Sequence, residues 1–165
     1  MNFPELKDLL VQQFGETVIV AENIQTLQSS ITVPVERIAD ICQFLYENSQ
    51  TYFDFLECLT ALDNGPELGT MEIIYHLYSI PYEHSLILKI LFSRTNEGVL
   101  PKVPTVSHIW RTANWHEREA FDLMGIQFVG HPDLRRILLP ADWEGFPLRK
   151  DYTEQETYHG IKVKY

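Results

Sequence analysis

The run from Asn114 to Gly125, NWHEREAFDLMG, carries the densest set of titratable side chains on one predicted helix. Carboxylates and a histidine on a shared helix face can do acid–base work or hold a metal, so their projection matters. At about 100° per residue, Ala120, Phe121, Leu123 and Met124 define an apolar side that includes Glu117, while Arg118, Glu119 and Asp122 face away. Glu117 stands three residues after Asn114, the spacing of a capping box. That cap is favoured over the alternative, a buried carboxylate paired with an arginine. His116 opens the sequence HERE, but a two-histidine zinc helix needs a histidine at position 120, where this chain has Ala120.

The remaining candidates are weaker. His108, His131 and His159 are separated by prolines and irregular segments without ligand spacing, and each reads as a hydrogen-bonding loop residue. No G-x-S-x-G elbow surrounds Ser79, Ser85 or Ser107, and neither G-x-G-x-x-G nor a phosphate-binding P-loop occurs. The expectation is a chain with no catalytic, cofactor-binding or metal-binding residue of its own. Arg135, Arg136, Arg149 and Lys150 instead lie close in sequence to Trp143, Phe146 and Tyr152. Arginine with large aromatics is the composition of protein interface anchors.

Several elements must position these residues. Apolar spacing through Leu6, Leu9, Leu10 and Phe14 predicts a helix over 4–14, stopped by Gly15. Runs at 17–21 and 29–34 predict two short strands, and Ile38, Ile41, Cys42 and Leu45 share one face of a principal packing helix over 35–48. Strands follow at 53–62, 70–79 and 85–93. In the second, Met71, Ile73, Tyr75 and Leu77 share a face; in the third, Leu86, Leu88, Ile90 and Phe92 do. The order α-β-β-α-β-β-β predicts an α+β, two-layer domain, a mixed sheet with helices on one face. Short helical patterns at 105–110 and 114–124 precede an aperiodic, proline-punctuated tail. That tail has too few periodic apolar positions for a second core, so residues 130–152 are expected to form an extended segment held by a partner. The division is a body over 1–104 and a C-terminal part over 105–165 of the same domain.

Composition narrows the class. With 165 residues, 45% hydrophobic and 22% charged, the chain can bury one core. No run of about 18 apolar residues and no basic, apolar leader is present, which predicts a soluble, cytoplasmic protein. Cys42 and Cys58 are the two cysteines, read as buried reduced thiols. A net charge of −10 argues against phosphate-mediated nucleic-acid binding. The charge is uneven: residues 1–105 hold 5 basic and 14 acidic side chains, residues 106–165 hold 8 and 9. The first part reads as a solvated body and the second as a contact surface.

The stretch 116–152 strongly resembles the signature of the 30-kilodalton-type (C) subunit family of respiratory complex I, the NADH-quinone oxidoreductase. That signature runs E-R-E, then G-H-P-D-L-R-R-I-L, then D-W-E-G-x-P-L-R-K-D-Y. It is matched here by Glu117-Arg118-Glu119, Asp122, Gly125, Gly130 to Leu138, Pro140, Asp142 to Gly145 and Pro147 to Tyr152. DFLECLTALD and EIIYHLYS resemble the family's earlier strands, so the likeness covers most of the chain. The resemblance implies a non-catalytic component of the peripheral arm, docked on the quinone-site (D) subunit and near the iron-sulfur subunits. It would be a peripheral protein on the cytoplasmic side of the cell (inner) membrane, touching the membrane only through the complex. FMN, iron-sulfur clusters and quinone would be carried by other chains. The length suggests a stand-alone member of the family rather than a fusion with the quinone-site polypeptide. The alternative is the homologous subunit of a membrane-bound hydrogenase or formate hydrogenlyase.

Overall fold

A computed structural model describes residues 1–25, 28–94 and 99–162. Helix α1 (Phe3–Phe14) begins at a capping box in which Asn2 and Glu5 each accept the other's backbone N–H, with Pro4 in the first turn. It ends at Gly15, whose φ of +86° suits glycine. The strand expected over 17–21 forms only in part. Glu16–Val18 is a 3₁₀ turn that tucks Val18 into the core, and the strand β1 (Ala21–Asn23) follows it. The β-branched run signals burial here, and without a neighbouring strand to pair with, Val18 is buried from a turn.

Strand β2 (Ser30–Thr32) leads through Pro34 and a 3₁₀ turn (Val35–Arg37) into helix α2 (Ile38–Glu47). The long strands β3 (Phe55–Gly65), β4 (Thr70–Ser79) and β5 (His84–Ser93) pair as an antiparallel meander, with β2 parallel to β5. Among the described residues this gives a five-stranded mixed sheet in the order β1-β2-β5-β4-β3, the α+β architecture expected from the sequence. Register places Tyr75 opposite both Leu59 and Leu88, so the inward residues of three strands align in rows. Met71, Ile73, Tyr75 and Leu77 are buried, with Ile74, His76 and Tyr78 half-buried on the other side. The inward rows pack in one apolar cluster with Leu6 and Leu10 of α1 and Ile38, Ile41, Cys42 and Leu45 of α2. Cys42 is a buried free thiol and Cys58 is half-buried.

Beyond the sheet, β6 (Lys102–Pro104) and β7 (Gln127–Val129) form a small parallel pair flanking helix α3 (Ala113–Met124), which packs against β3. The helix expected at 105–110 is reduced to a single turn in which Ile109 and Trp110 both donate to Val106 O. At its start Val106 N–H is taken by Glu117, and the Thr105 and Ser107 hydroxyls bond to each other. A short hairpin of β8 (Thr157–Tyr158) and β9 (Ile161–Lys162) follows the tail.

Candidate partner-docking site

Helix α3 is the frame of the region that the sequence singles out. Its first residue is Ala113, preceded by Thr112 with no side-chain cap, so Asn114 already lies inside the helix. Glu117 therefore does not cap it, and the capping-box expectation is overturned. The side chain instead points into the core, fully buried, where it accepts from Val106 N–H (2.7 Å) and the Thr105 hydroxyl. The alternative arginine partner is absent too among the described residues; the nearest cationic candidate is the His131 imidazole at 4.0 Å, itself buried. Burial pushes the Glu117 carboxyl up to about 7 against the pull of its two donors. Burial also holds His131 below its ordinary value, and its ring bonds to Asn114 O and Asp133 N as an ordinary loop histidine would.

Asp122 departs further from the projection. Expected to face away from the apolar side, it is completely buried beneath the tail. One carboxylate oxygen accepts three successive backbone N–H groups, those of Ile137 (3.0 Å), Leu138 (2.7 Å) and Leu139 (2.9 Å). The other meets the Arg136 guanidinium at 2.8 Å. Burial raises the carboxyl's pKa, but these donors outweigh it and hold Asp122 below the usual carboxylate range. Arg118 also turns inward: it is buried, donates to Arg135 O (3.2 Å) and lies over the Trp115 ring. Glu119 alone of the four signature residues on α3 is exposed, at the rim of a groove bordered by Cys58–Ala61 of β3.

The tail folds back on this helix. Arg136 also donates to the carbonyls of Trp143 (3.2 Å) and Gly145 (3.1 Å). Arg149 caps the end of α3 by donating to Met124 O (2.7 Å) and Gly125 O (3.2 Å). The Phe146 ring sits between the two guanidinium groups, 5.4 Å from Arg136 and 4.8 Å from Arg149. It also lies where a Cβ on Gly125 would be, only 2.6 Å away, and Gly125 adopts a left-handed φ of +67°, so glycine is required there twice over. The expectation that Arg136 and Arg149 spend their hydrogen bonds on a partner is therefore revised. Their donors are used within the chain, because carbonyls left bare by an irregular backbone and a helix C-terminus need them.

A second anchor joins the tail to the sheet. Asp63, on the inward side of β3, accepts Lys150 N–H (2.8 Å) and Gly65 N–H (3.0 Å), and it faces Arg94 Nε at 2.9 Å. Arg94 also pairs with Asp151. Burial lifts the Asp63 carboxyl, and its backbone donors and Arg94 more than reverse that. Sequence reasoning gave no role to Asp63, although it closes the family-like segment DFLECLTALD, and none to Arg94. The signal was available: Asp63 continues the inward alternation of Leu59 and Ala61, where an acid demands a partner. Of the remaining interface candidates, Lys150 is exposed and reaches Asn64 O with its ammonium, and Arg135 is exposed beside Asp133. Trp143 and Tyr152 are half-buried, Trp143 against the Tyr158 ring and Tyr152 beside Gly145.

Both anchors lie within the part of the chain that matches known proteins. Residues 31–158 match the profile of the respiratory-chain NADH dehydrogenase 30 Kd subunit. The chain belongs to this family. A relative from Chlorobium phaeobacteroides, the C subunit of its NADH-quinone oxidoreductase, is 42% identical over 96% of this chain and 93% of its own length. Among solved structures, the trypsin-resistant fragment (1–134) of Nqo5 matches with a TM-score of 0.61 and 27% identity, over 78% of this chain and 98% of the fragment. A chain of the membrane-bound sulfane sulfur reductase, an archaeal respiratory membrane complex, shares the fold at a TM-score of 0.73 and 23% identity, over 91% of this chain and 85% of that one. Asp122, Gly125, Arg136, Arg149 and Lys150 all lie within the matched residues 31–158.

Proposed function

We propose that this chain is a peripheral-arm subunit of a proton-translocating NADH-quinone oxidoreductase, where it supports assembly by docking the quinone-site and iron-sulfur subunits. The observation that carries this reading is the match over 96% of the chain to a component of such an oxidoreductase. The geometry supplies a supporting argument. A tail tied to its own helix and sheet is preorganised, so a partner meets a formed surface and loses less free energy to ordering. In this reading the body over 1–104 supports the part over 105–165, whose exposed Trp115, Val129, Leu138 and Leu148, together with exposed Arg135, serve as contact residues. FMN, iron-sulfur clusters and quinone belong to other chains, and this one does no chemistry in isolation. Among the described residues no helix is long and apolar enough to cross a membrane, which suits a protein attached through its partners on the cytoplasmic side.

The test is affinity purification of the tagged chain from cells expressing the full set of subunits, with identification of what it retains. Recovery of the quinone-site and iron-sulfur subunits is the expected result, and recovery of the chain alone would overturn the reading. A second reading keeps the same fold in a different respiratory assembly, as its occurrence in the archaeal sulfane sulfur reductase illustrates. Nickel-ligating cysteine pairs in the co-purified partner that takes the quinone-site position would favour a hydrogenase-type complex.

A further inference from the structure

The Glu117 and His131 side chains are both sealed from solvent, with 4.0 Å between the carboxylate Oε2 and the imidazole Nε2. The imidazole also joins α3 to the tail. Its Nδ1 accepts the Asp133 N–H at 3.0 Å, so the ring proton sits on Nε2, which donates to Asn114 O at a long 3.3 Å. A normal bond to the carboxylate needs that N–H to move by only about 1 Å. The carboxyl has a route for its own proton as well. Thr105 Oγ1 bonds Glu117 Oε2, accepts Ser107 N–H at 3.1 Å and stands 2.8 Å from Ser107 Oγ, which is half-buried. Either hydroxyl of that pair can be the donor, so the chain from Glu117 through Thr105 to Ser107 has two directions.

We propose that Glu117 and His131 form a proton-operated latch on the turn at 131–133. With the acid protonated, its O–H donates to Thr105, Thr105 donates to Ser107, and the His131 Nε2–H rests on Asn114 O as in this structure. On ionisation Ser107 passes a proton to water, each hydroxyl takes the proton behind it, and both then turn to donate towards Glu117. The Nε2–H leaves Asn114 O for the carboxylate and draws the turn towards the core. The surrounding groups favour this exchange. Cys42 of α2 and Tyr75 of β4 sense the Glu117 charge, but burial holds both in their neutral forms, so neither supplies a cation. Burial and the nearby Arg118 keep a second proton off His131, against its bond to Asn114 O and the charge of Asp133. A hydrogen bond therefore changes acceptor while the imidazole stays neutral. Burial places the ionisation of Glu117 at about 7, so both states are populated near neutral pH. The turn runs into Arg135, whose carbonyl takes the Arg118 guanidinium and whose own side chain is exposed, so the latch alters how that surface is presented. The latch is a property of the free chain and stands or falls apart from the subunit reading.

The test is a pH titration of the full chain through neutrality by nuclear magnetic resonance, with histidine rings, amide nitrogens and glutamate carboxyls isotopically labelled. The Glu117 carboxyl, the His131 ring and the Asp133 amide should share one midpoint, with the imidazole neutral and protonated on Nε2 on both sides of it. Separate midpoints, a proton on Nδ1 or an imidazolium at the midpoint overturns the proposal. Glu117→Gln should abolish the transition at His131 and Asp133, and its survival there is equally fatal. His131→Phe should raise the Glu117 midpoint by about one pH unit, the worth of one hydrogen bond to a charged group; a midpoint unchanged or lowered overturns the latch without needing the Glu117 variant to fold. The Tyr75 hydroxyl, without a partner among the described residues, is the rival donor to the ionised acid. Tyr75→Phe should leave the His131 transition in place, and its loss would give that role to Tyr75.

Discussion

In the sheet, Met71, Ile73, Tyr75 and Leu77 are fixed by side chains that alternate into one apolar cluster; in the tail, Ile137, Leu138 and Leu139 are fixed by their backbone N–H groups, which converge on the Asp122 carboxylate. The first arrangement is non-directional and spread over many residues, so it tolerates loss of any one contact in part. The second concentrates the conformation of a segment in one group. Asp122 holds 136–139 against α3, and Asp63 holds Lys150 against β3, so residues far apart in sequence are fastened at two points. An irregular chain costs about 1–2 kcal/mol per residue to order, and a buried carboxylate with four good donors offsets that where side-chain packing is sparse.

Removing the carboxylate of Asp122 is the sharpest way to break the comparison. Asp122→Ala strands the Arg136 guanidinium and three N–H groups, at a cost of about 3–5 kcal/mol for a buried ion pair broken on one side. The loss should be local: limited proteolysis should cut between 130 and 152 at once, while far-ultraviolet circular dichroism keeps the sheet signal. Leu45→Ala should do the reverse. It removes a fully buried side chain of α2 and should cost about 2–5 kcal/mol spread over the whole cooperative unit, read as a lower urea midpoint with no new cleavage site in the tail. If the two variants share one unfolding profile, the two regions are not distinct.

Glu117 sharpens the contrast between buried carboxylates. Its pKa is raised in the fold, so its contribution is fully favourable below its unfolded value and is lost as pH rises towards about 7. A shift from 4.5 to about 7 corresponds to about 3 kcal/mol. Stability should therefore decline between pH 4.5 and 7 on account of this group, and Glu117→Gln should remove that decline and raise the melting temperature at pH 8. Asp122 and Asp63 run the other way: their pKa values are lowered, so their support is present above the unfolded value and disappears as pH falls through the folded one. The tail should detach in acid before the sheet unfolds, measurable as protease sensitivity during an acid titration.

The difference between the regions also explains what the sequence revealed. Period-two alternation at 71–77 and helical spacing at Ile38, Ile41, Cys42 and Leu45 are statements about side chains, and both placed the core correctly. The family signature was legible as a string, and its residues coincide with the two anchors. What could not be read was the role of Asp122, because its partners are backbone N–H groups that leave no mark on residue identity. Glu117 was assigned to a cap because the Asn114 spacing fits one, yet α3 begins at Ala113 and takes Asn114 inside. The projection already put Glu117 on the apolar side; one residue of helix boundary decides whether its carboxylate turns back to cap the helix or reaches Thr105 and Val106 in the core. Asp63 closes the family-like segment DFLECLTALD but received no role for a related reason: the expected strand ends at 62, one position before the acid that completes its inward row.

The smallest effect on the fold is expected from the residue whose neighbour has one of the largest. Arg135 and Arg136 are adjacent and were indistinguishable as interface candidates. Arg136 is bound to the Asp122 carboxylate and to the carbonyls of Asp122, Trp143 and Gly145, while Arg135 projects outward with its side chain 73% exposed, its ion pair among the described residues being with Asp133 two residues away. An exposed pair of that kind contributes about 0–1 kcal/mol, so Arg135→Ala should leave the melting temperature of the free chain within a degree or two. Arg136→Ala should loosen the tail as Asp122→Ala does. The order should reverse in function if Arg135 is the contact residue proposed above. Arg135→Ala would then weaken retention in the complex with no change in protease resistance, whereas loss of retention in Arg136→Ala would always accompany a cleaved tail. Measuring both properties for both variants separates a side chain that shapes the docking surface from one that touches the partner, and an Arg135→Ala chain retained as well as the unaltered one would remove Arg135 from the surface.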